Sequence, residues 1–256
     1  GTPVHFQLLG SNAEMLACNA LRAVELGAPA IDLNFGCPAK TVNRHGGGAS
    51  LLANSQTLYE IVRHVRGAVP AHIPVTAKMR LGINSSDELM DNAAAIHEAG
   101  ATWLTIHART KAQGYRPPVD WEAIGRVKSA YPAWKIIANG DISSIESLNA
   151  CAQASGCDAF MVGRSAVSEP DLVARLKQPS LAPMPWAQIN HWQLHFLQKL
   201  AGTESGLVGR YKQWLAMTAG RYPEAATKFQ AVKRMKRIAE IVAISADDEL
   251  PVYICS

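Results

Sequence analysis

Residues 30–38 read AIDLNFGCP, an apolar run typical of a buried strand that ends in glycine, cysteine and proline. Five similar runs occur along the chain: VHFQLL (4–9), VTAKMRL (75–81), WLTIHA (103–108), KIIANG (135–140) and AFMVG (159–163). Segments with helical periodicity lie between the runs, at 12–26, 56–69, 86–99, 121–131, 144–154 and 166–176. Gly27 and Gly100 directly follow two of them, as helix-terminating glycines do. Strands that alternate with helices predict βαβ units and a parallel sheet.

Every predicted strand ends in a polar side chain or a glycine. These ends are Gln7, Asn34, Lys78 with Arg80, His107 with Arg109, Asn139-Gly140-Asp141 and Gly163-Arg164. An open doubly wound sheet gathers its functional groups at one switch point, whereas a (β/α)8 barrel collects them from all of its strand ends. The sequence therefore predicts an α/β protein with a (β/α)8 barrel.

A barrel of this kind needs eight strands, and six are visible. The last two runs each pass through glycine into a helical segment. This is the pattern of the phosphate site that such barrels build after strands seven and eight. We therefore expect the first two β/α units, about 60 residues, to be missing from this chain.

The alternation of strand and helix patterns ends at the Pro-rich stretch QPSLAPMPW (178–186). Helical periodicity follows over 187–201, 206–219 and 224–243. Residues 1–176 are neutral, whereas 199–240 contain nine Lys/Arg and three Asp/Glu, a net charge of +6. We predict a partial barrel over 1–178 and a helical domain over 179–256 that binds a polyanion. A Lys-rich helical surface without such a partner is the alternative.

Several classes of protein are disfavoured by the composition. No uninterrupted apolar run of about 18 residues is present, so no membrane span is predicted. The five cysteines form no C-x-x-C pair, which argues against zinc ribbons and disulfide frameworks and favours a reducing cytoplasm. His191 and His195 have helical spacing but lack the glutamate of a zinc motif and a third ligand, so we predict no metal.

Cys37 lies just beyond a strand end, in a loop, where barrel enzymes place catalytic groups. A small buried cysteine is the alternative interpretation. A nucleophilic cysteine needs a histidine base and an orienting carboxamide, and no local signature of that kind is present. A thiol that donates a proton needs only reach and a mobile loop, which Gly46, Gly47 and Gly48 would allow. The acid role is therefore favoured.

Lys78 and Arg80 share one face of a strand because side chains alternate between the faces. A buried pair of cations needs an anionic or electron-rich partner, whereas two cations that reach solvent from the strand end are the alternative. His107 lies one strand on, and Asn139 with Gly163-Arg164 forms a predicted phosphate cradle. The set suits flavin mononucleotide (FMN), because a cation stabilises the negative charge of the reduced ring.

With these residues in view, the chain resembles the tRNA-dihydrouridine synthases, flavin enzymes with a barrel and a small helical RNA-binding domain. The matching segments are FQLLG (6–10), DLNFGCPAKTVNRHGGGASLL (32–52), AKMRLG (77–82), IHARTKAQGYRPPVDW (106–121), IIANGDI (136–142) and MVGRSA (161–166). RYKQWL (210–215) is most similar to the bacterial C-type enzymes, which modify uridine 16. The family's first strand, with a Pro-Met-x-Gly motif against the flavin, is not in this chain.

The resemblance implies reduction of the C5=C6 bond of a uridine in tRNA. NADPH (or NADH) would be the reductant, FMN would pass hydride to C6, and Cys37 would protonate C5 of a base flipped out of its stack. The implied FMN contacts are Gln7, Lys78, His107, Asn139, Gly140, Asp141, Gly163 and Arg164. The implied uridine contacts are Asn34 and Arg80, and the implied tRNA contacts are Tyr115, Arg210, Lys212 and Lys233. We expect a cytoplasmic monomer.

Two other functions are consistent with the residues. An FMN barrel enzyme that acts on free pyrimidines, related to dihydroorotate dehydrogenase, would not need the basic tail. A non-catalytic tRNA-binding protein or remnant would need no flavin, and it would bind tRNA with a steep salt dependence. Bound flavin is the observation that separates an enzyme from the remnant.

Overall fold

The computed structural model describes residues 4–244. All six predicted strands form: β1 Phe6–Leu8, β2 Ile31–Phe35, β3 Val75–Arg80, β4 Trp103–His107, β5 Lys135–Asn139 and β6 Ala159–Met161. They make one parallel sheet in which each strand pairs with its successor in the chain, in the order β1 to β6. A doubly wound sheet would reverse that order at its switch point. The predicted α/β fold is confirmed.

Helices connect the strands as predicted. They are α1 Ala13–Glu25, α2 Lys40–Arg44, α3 Ser55–Ala68, α4 Leu89–Glu98, α5 Trp121–Ala130 and α6 Ile145–Ser155, with a 3₁₀ helix over Gly48–Ala53. Asn12, Asn54 and Asp120 begin α1, α3 and α5 by accepting a backbone N–H with their side chains. Gly27 and Gly100 follow α1 and α4 with φ of +93° and +95°, which confirms them as terminating glycines.

The strands are buried on both faces where the sheet is central. In β3 five of six residues are buried and Lys78 is half-buried, as expected for a parallel sheet packed between helices or closed on itself. β1 differs, because Phe6 is 49% exposed and Val4 just before it is 68% exposed. The core therefore lies along β2 to β5, and these strands position the site.

The chain divides into two compact units. One comprises residues up to Ile142 together with Glu146–Met161, and the other comprises Ser143–Ile145 together with residues from Val162 onward. Over its described residues the second unit is helical: α7 Arg164–Ser168, α8 Leu172–Lys177, α9 Trp186–Lys199, α10 Glu204–Thr218, α11 Pro223–Val232 and α12 Ile238–Ala243. The predicted helical segment after the sheet is confirmed.

Two details of the predicted helices are wrong. The segment predicted over 166–176 is two short helices, since Pro170 lacks the N–H that a continuous helix requires. The helix predicted over 224–243 is also two, α11 and α12, and the break at 233–237 contains neither glycine nor proline. Its cause lies in contacts with α10, which are described below.

The helical unit has its own core. Buried apolar residues of α9 to α12 pack together, namely Leu197, Leu207, Val208, Tyr211, Leu215, Ala225, Val232 and Ile241. A carboxylate joins distant parts of this unit, because the buried Glu169 pairs with both Arg175 and Arg221. None of the helices described over 4–244 is long and apolar enough to cross a bilayer.

Candidate active site

The parallel register brings the predicted strand-end residues side by side in two tiers. Asn34 of β2 lies opposite Lys78 of β3. One tier further along, Arg80 lies opposite His107 of β4, and His107 lies opposite Asn139 of β5. The carboxyl ends of parallel strands meet at one edge of a sheet, which is where α/β enzymes place their reacting groups.

Cys37 is held by its main chain immediately after β2. Its N–H donates to Oδ1 of Asn34 at 3.0 Å, and the same oxygen accepts the N–H of Gly36 at 3.0 Å. The carbonyl of Cys37 accepts from Nδ2 of Asn43 at 2.8 Å and from the N–H of Ala49 at 3.0 Å. The side chain is half-buried and its thiol is free. The backbone is thus fixed while the thiol remains available.

The glycine run has one position where no other residue fits. Gly48 has φ +61°, and a Cβ built on it would lie 2.7 Å from the carbonyl oxygen and 3.0 Å from Cβ of Cys37. Both the left-handed backbone and the close approach require glycine there. In this arrangement Gly48 closes the loop against Cys37, and its role is close packing.

Arg80 is buried and joins two loops through their main chains. Its Nε donates to the carbonyl of Gly36 at 2.8 Å, and one terminal nitrogen donates to the carbonyls of Thr110 and Gly114 at 3.0 and 2.7 Å. Its guanidinium also lies 5.3 Å from the ring centroid of Tyr115. Burial lowers the pKa of Arg80 from its ordinary value, while the neighbouring Tyr115 acts in the opposite direction. Arg80 therefore couples the Cys37 loop to the loop that carries the exposed Tyr115.

Lys78 is a half-buried cation whose ammonium makes no hydrogen bond with the described residues. Its pKa is lowered to about 8, first by burial and second by the charge of Arg80, while Asp32 acts in the opposite direction. At pH 7 the group is still mostly charged. A desolvated ammonium without a hydrogen-bonding partner has the chemistry to pair with an anionic or electron-rich group.

His107 is a neutral histidine in this environment. It is 8% exposed, and burial followed by the charges of Arg80 and Lys78 lowers its pKa to about 3. Its Nδ1 has no hydrogen-bond partner among the described residues. Buried polar atoms are normally paired, so this nitrogen has hydrogen-bonding capacity left for a water molecule or a bound group. The ring of Tyr115 meets it edge-on at 6.2 Å.

The predicted FMN residues after β5 are engaged within the sheet unit. Nδ2 of Asn139 donates to the carbonyl of Met161 at 2.8 Å, and the carbonyl of Gly140 accepts from the indole N–H of Trp121 at 3.0 Å. Asp141, which has a positive φ of 50°, accepts hydrogen bonds from both terminal nitrogens of the buried Arg109. In this structure the carboxylate of Asp141 therefore binds an arginine side chain.

Gln7 is exposed, but its amide is oriented by two side chains. Its Nε2 donates to Asp32 at 2.6 Å and its Oε1 accepts from Asn34 at 2.9 Å. The other oxygen of Asp32 accepts from Thr76 at 2.6 Å. This chain of hydrogen bonds runs across β1, β2 and β3, so it orients both Gln7 and the asparagine that holds Cys37.

The remaining predicted residues lie in the helical unit. Gly163 caps α7 and Arg164 is its first residue. Arg210 is exposed on α10, and Lys212 on the same helix is half-buried. Lys233 directly follows α11 and is exposed. Among the described residues no group of three or more His, Cys, Asp or Glu is arranged to hold a metal ion.

Sequence reasoning missed three residues that shape the site: Asp32, Asn43 and Gly48 as a packing position. A carboxylate within a buried strand needs a polar partner, so the sequence itself indicated that Asp32 takes part in a hydrogen-bond network. Asn43 gave none, because its role depends on where α2 places it relative to Cys37.

The comparisons with known proteins agree with this geometry. Residues 1–242 match the dihydrouridine synthase (Dus) family. The chain belongs to the dihydrouridine synthase family. A relative from Shewanella oneidensis, named tRNA-dihydrouridine(16) synthase, is 46% identical over 246 residues, which are 95% of this chain and 78% of the relative. One of the same name from Neisseria meningitidis is 42% identical and covers 97% of this chain and 77% of its own length.

The resemblance predicted from the motifs, to this family and within it to the uridine-16 enzymes, is therefore confirmed. A solved structure of a 2-naphthoyl-CoA reductase complex matches 64% of this dihydrouridine synthase chain and 28% of its own chain, with a TM-score of 0.50 and 16% identity. At that identity the likeness concerns the fold alone.

Proposed function

We propose that this dihydrouridine synthase reduces the C5=C6 bond of uridine 16 in the D-loop of tRNA. FMN would be its bound cofactor, NADPH (or NADH) its reductant and Cys37 its proton donor. The family and the name shared by its relatives support the reaction. The residues at the strand ends support the cofactor and the donor.

The observation that carries the proposal is the position of Cys37. Asn34 and Asn43 fix its main chain from two sides, and Gly48 closes against it. A thiol held in this way can deliver a proton to one defined carbon, since small errors of position lower the rate of proton transfer strongly. Proton delivery at C5 completes the addition across the double bond and prevents its reversal.

The strand-end residues fit a flavin. The ammonium of Lys78 and Nδ1 of His107 lack hydrogen-bond partners among the described residues, and Gln7 presents an oriented amide. We propose that these three, with Asn139, Gly140 and Asp141, hold FMN, and that Gly163 and Arg164 contribute as the sequence predicts. FMN, when bound, supplies the hydride for C6 after reduction by NADPH.

Asn34 and Arg80 are proposed to act on the uridine chiefly through the loops they hold. The amide of Asn34 is bonded to Gly36, Cys37 and Gln7, and Arg80 is bonded to three main-chain carbonyls. Tyr115, 53% exposed, offers a ring on which a flipped base can stack. Its neighbour Arg80 keeps that ring in place.

We further propose that residues 1–178 form the FMN-binding, barrel-type catalytic domain and that residues 179–256 form a tRNA-binding helical domain. The excess of six positive charges within 199–240 supports this partner, because RNA is held largely through its phosphates. A cytoplasmic monomer agrees with a tRNA substrate and with the four described cysteines, which are free thiols.

An absorbance experiment tests the proposal. The purified protein should carry flavin bands that NADPH bleaches and that tRNA lacking dihydrouridine restores, with dihydrouridine appearing at position 16. Restoration by free uracil or orotate in place of tRNA would indicate a free-pyrimidine enzyme. Colourless protein that takes up no FMN but binds tRNA would indicate a non-catalytic tRNA-binding protein.

A further inference from the structure

The break between α11 and α12 carries the densest positive charge in the described chain. Residues 233–237 read KRMKR, and Lys233, Arg234, Lys236 and Arg237 are all exposed. A continuous helix would place like charges three and four positions apart on one surface, which is unfavourable. The chain leaves the helix at Lys233 and resumes it at Ile238.

Side chains from neighbouring helices replace the helical hydrogen bonds across this break. Nζ of Lys212, on α10, donates to the carbonyl of Lys233 at 3.0 Å and to the carbonyl of Met235. At the start of α12, the N–H of Ile238 donates to Oε1 of Glu204 at 2.8 Å. Glu240 accepts the N–H groups of Lys236 and Arg237, each at 3.3 Å. The break is therefore built by specific side chains, with no glycine or proline in it.

The orientation of the segment leaves only charge at its surface. Met235, its single apolar residue, packs against the core of the helical unit. Within the described residues the four cations form no ion pair, although Lys233 bonds to Gln230. A protein partner would need an apolar anchor at the centre of its interface. Exposed lysines and arginines without such an anchor fit the phosphates of RNA.

We propose that the 233–237 segment is a phosphate-binding surface for tRNA and that Lys212 is the residue that positions it. The segment supplies the contacts with the RNA backbone, and the ammonium of Lys212 keeps the main chain in the broken conformation that presents them. This proposal rests on tRNA being the substrate, and it changes the predicted role of Lys212 from a direct tRNA contact to a structural support of the surface.

Salt dependence of tRNA binding tests the proposal, since each phosphate contact adds about one to the slope of log affinity against log salt. Lys236→Gln and Arg237→Gln should each lower that slope by about one. Lys212→Met should lower it by two or more, because several contacts are lost together. Lys212→Arg should retain the wild-type slope. Lys199→Met, which removes an exposed lysine of α9, is the matched control and should leave the slope unchanged.

A second readout needs no RNA. In the free protein, Lys212→Met should accelerate hydrogen exchange of the amides of 236–241, whereas Lys199→Met should not. The opposite result has three parts: Lys212→Met lowers the salt-dependence slope by only one, its effect adds to those of the segment variants, and hydrogen exchange of 236–241 is unchanged. That result would make Lys212 a direct phosphate contact and overturn its positioning role. If Lys212→Met fails to fold, the double variant Lys236→Gln with Arg237→Gln still decides the surface.

The proposed surface and the proposed tRNA substrate can be overturned separately. If both segment variants bind tRNA as tightly as wild type, this inference is wrong and the proposed reaction is unaffected. A wild-type protein with no affinity for tRNA at any salt concentration overturns both.

Discussion

Lys78 of the sheet unit and Lys212 of the helical unit show two opposite uses of a lysine. The ammonium of Lys78 makes no hydrogen bond with the described residues, and its pKa is lowered to about 8. The ammonium of Lys212 is bonded to two main-chain carbonyls. The ammonium of Lys78 is therefore open to a ligand. The ammonium of Lys212 is used by the fold itself, and the exposed cations of the 233–237 segment are the groups open to a partner.

The same contrast extends to the regions around them. At the strand ends, Asn34 and Arg80 fix loops through main-chain bonds, so single side chains are expected to affect the chemistry strongly and salt to affect it little. In the 233–237 segment the cations are exposed, so each is expected to contribute modestly and with a strong salt dependence. Five substitutions test that difference, here in order of decreasing effect.

The largest effect is expected at Cys37. Cys37→Ala should lower the rate of dihydrouridine formation by about 10²–10⁴-fold, the usual contribution of a positioned acid, while tRNA affinity stays unchanged. The rate is measured by mass spectrometry of the modified tRNA. Cys18→Ala, at an exposed thiol of α1, is the control and should keep full activity.

Gly48→Ala should disturb the same loop without removing the thiol. The left-handed φ of +61° and the 2.7 Å approach to the carbonyl of Cys37 should destabilise the protein by about 1–3 kcal/mol and lower activity at least about ten-fold. Denaturant unfolding and turnover measure the two effects. Gly67→Ala in α3, where a Cβ meets nothing within 4 Å, should be neutral or slightly stabilising; equal losses in both variants would contradict the packing role of Gly48.

The two lysines should respond oppositely to loss of their charge. Lys78→Met should raise the unfolding temperature of the cofactor-free protein, because a desolvated cation is replaced by an apolar chain, and should weaken FMN binding. Lys212→Met should lower that temperature, because two carbonyls lose their donor. Differential scanning calorimetry compares them. Destabilisation by Lys78→Met to the same extent would show that its ammonium has a structural partner.

The pH dependence of Lys78 has a defined sign. Its pKa falls from 10.5 to about 8 on folding, so the folded state binds fewer protons between those values and this group makes the cofactor-free protein more stable as pH rises from 8 to 10.5. FMN affinity should change in the other direction and fall above pH 8, as the ammonium loses its charge. Titration calorimetry of wild type against Lys78→Met separates this lysine from other groups.

The smallest effect is expected at a single segment cation. Arg237→Gln should weaken tRNA binding several-fold at about 50 mM salt and hardly at all at high salt, since one phosphate contact is lost. Turnover at saturating tRNA should be unchanged. A loss that is independent of salt would show that Arg237 makes a contact other than with phosphate.

The sheet was predictable because its signals are local. Each buried strand is a short apolar run, and the polar residues at the strand ends are contiguous with it, as in DLNF before Gly36. Gly27 and Gly100 likewise mark helix ends that depend only on their own backbone. These features required no knowledge of distant contacts.

The features that were missed depend on side-chain contacts that form only once the chain has folded. The break at 233–237 is held by Lys212 and Glu204, and no helix-breaking residue announces it. The amide of Asn43 meets Cys37 only once α2 is folded back. Periodicity alone therefore predicted a helix over 224–243, and the helical contacts of α10 overrode it.

A single-turnover experiment tests the central claim that Cys37 donates the proton. Wild type and Cys37→Ala are loaded with FMN, reduced with NADPH without oxygen, and mixed with unmodified tRNA while flavin absorbance is followed. We predict that wild type reoxidises as dihydrouridine appears in equal amount, and that Cys37→Ala binds the tRNA but stays reduced. Reoxidation of Cys37→Ala at the wild-type rate, with dihydrouridine formed, would contradict the assignment.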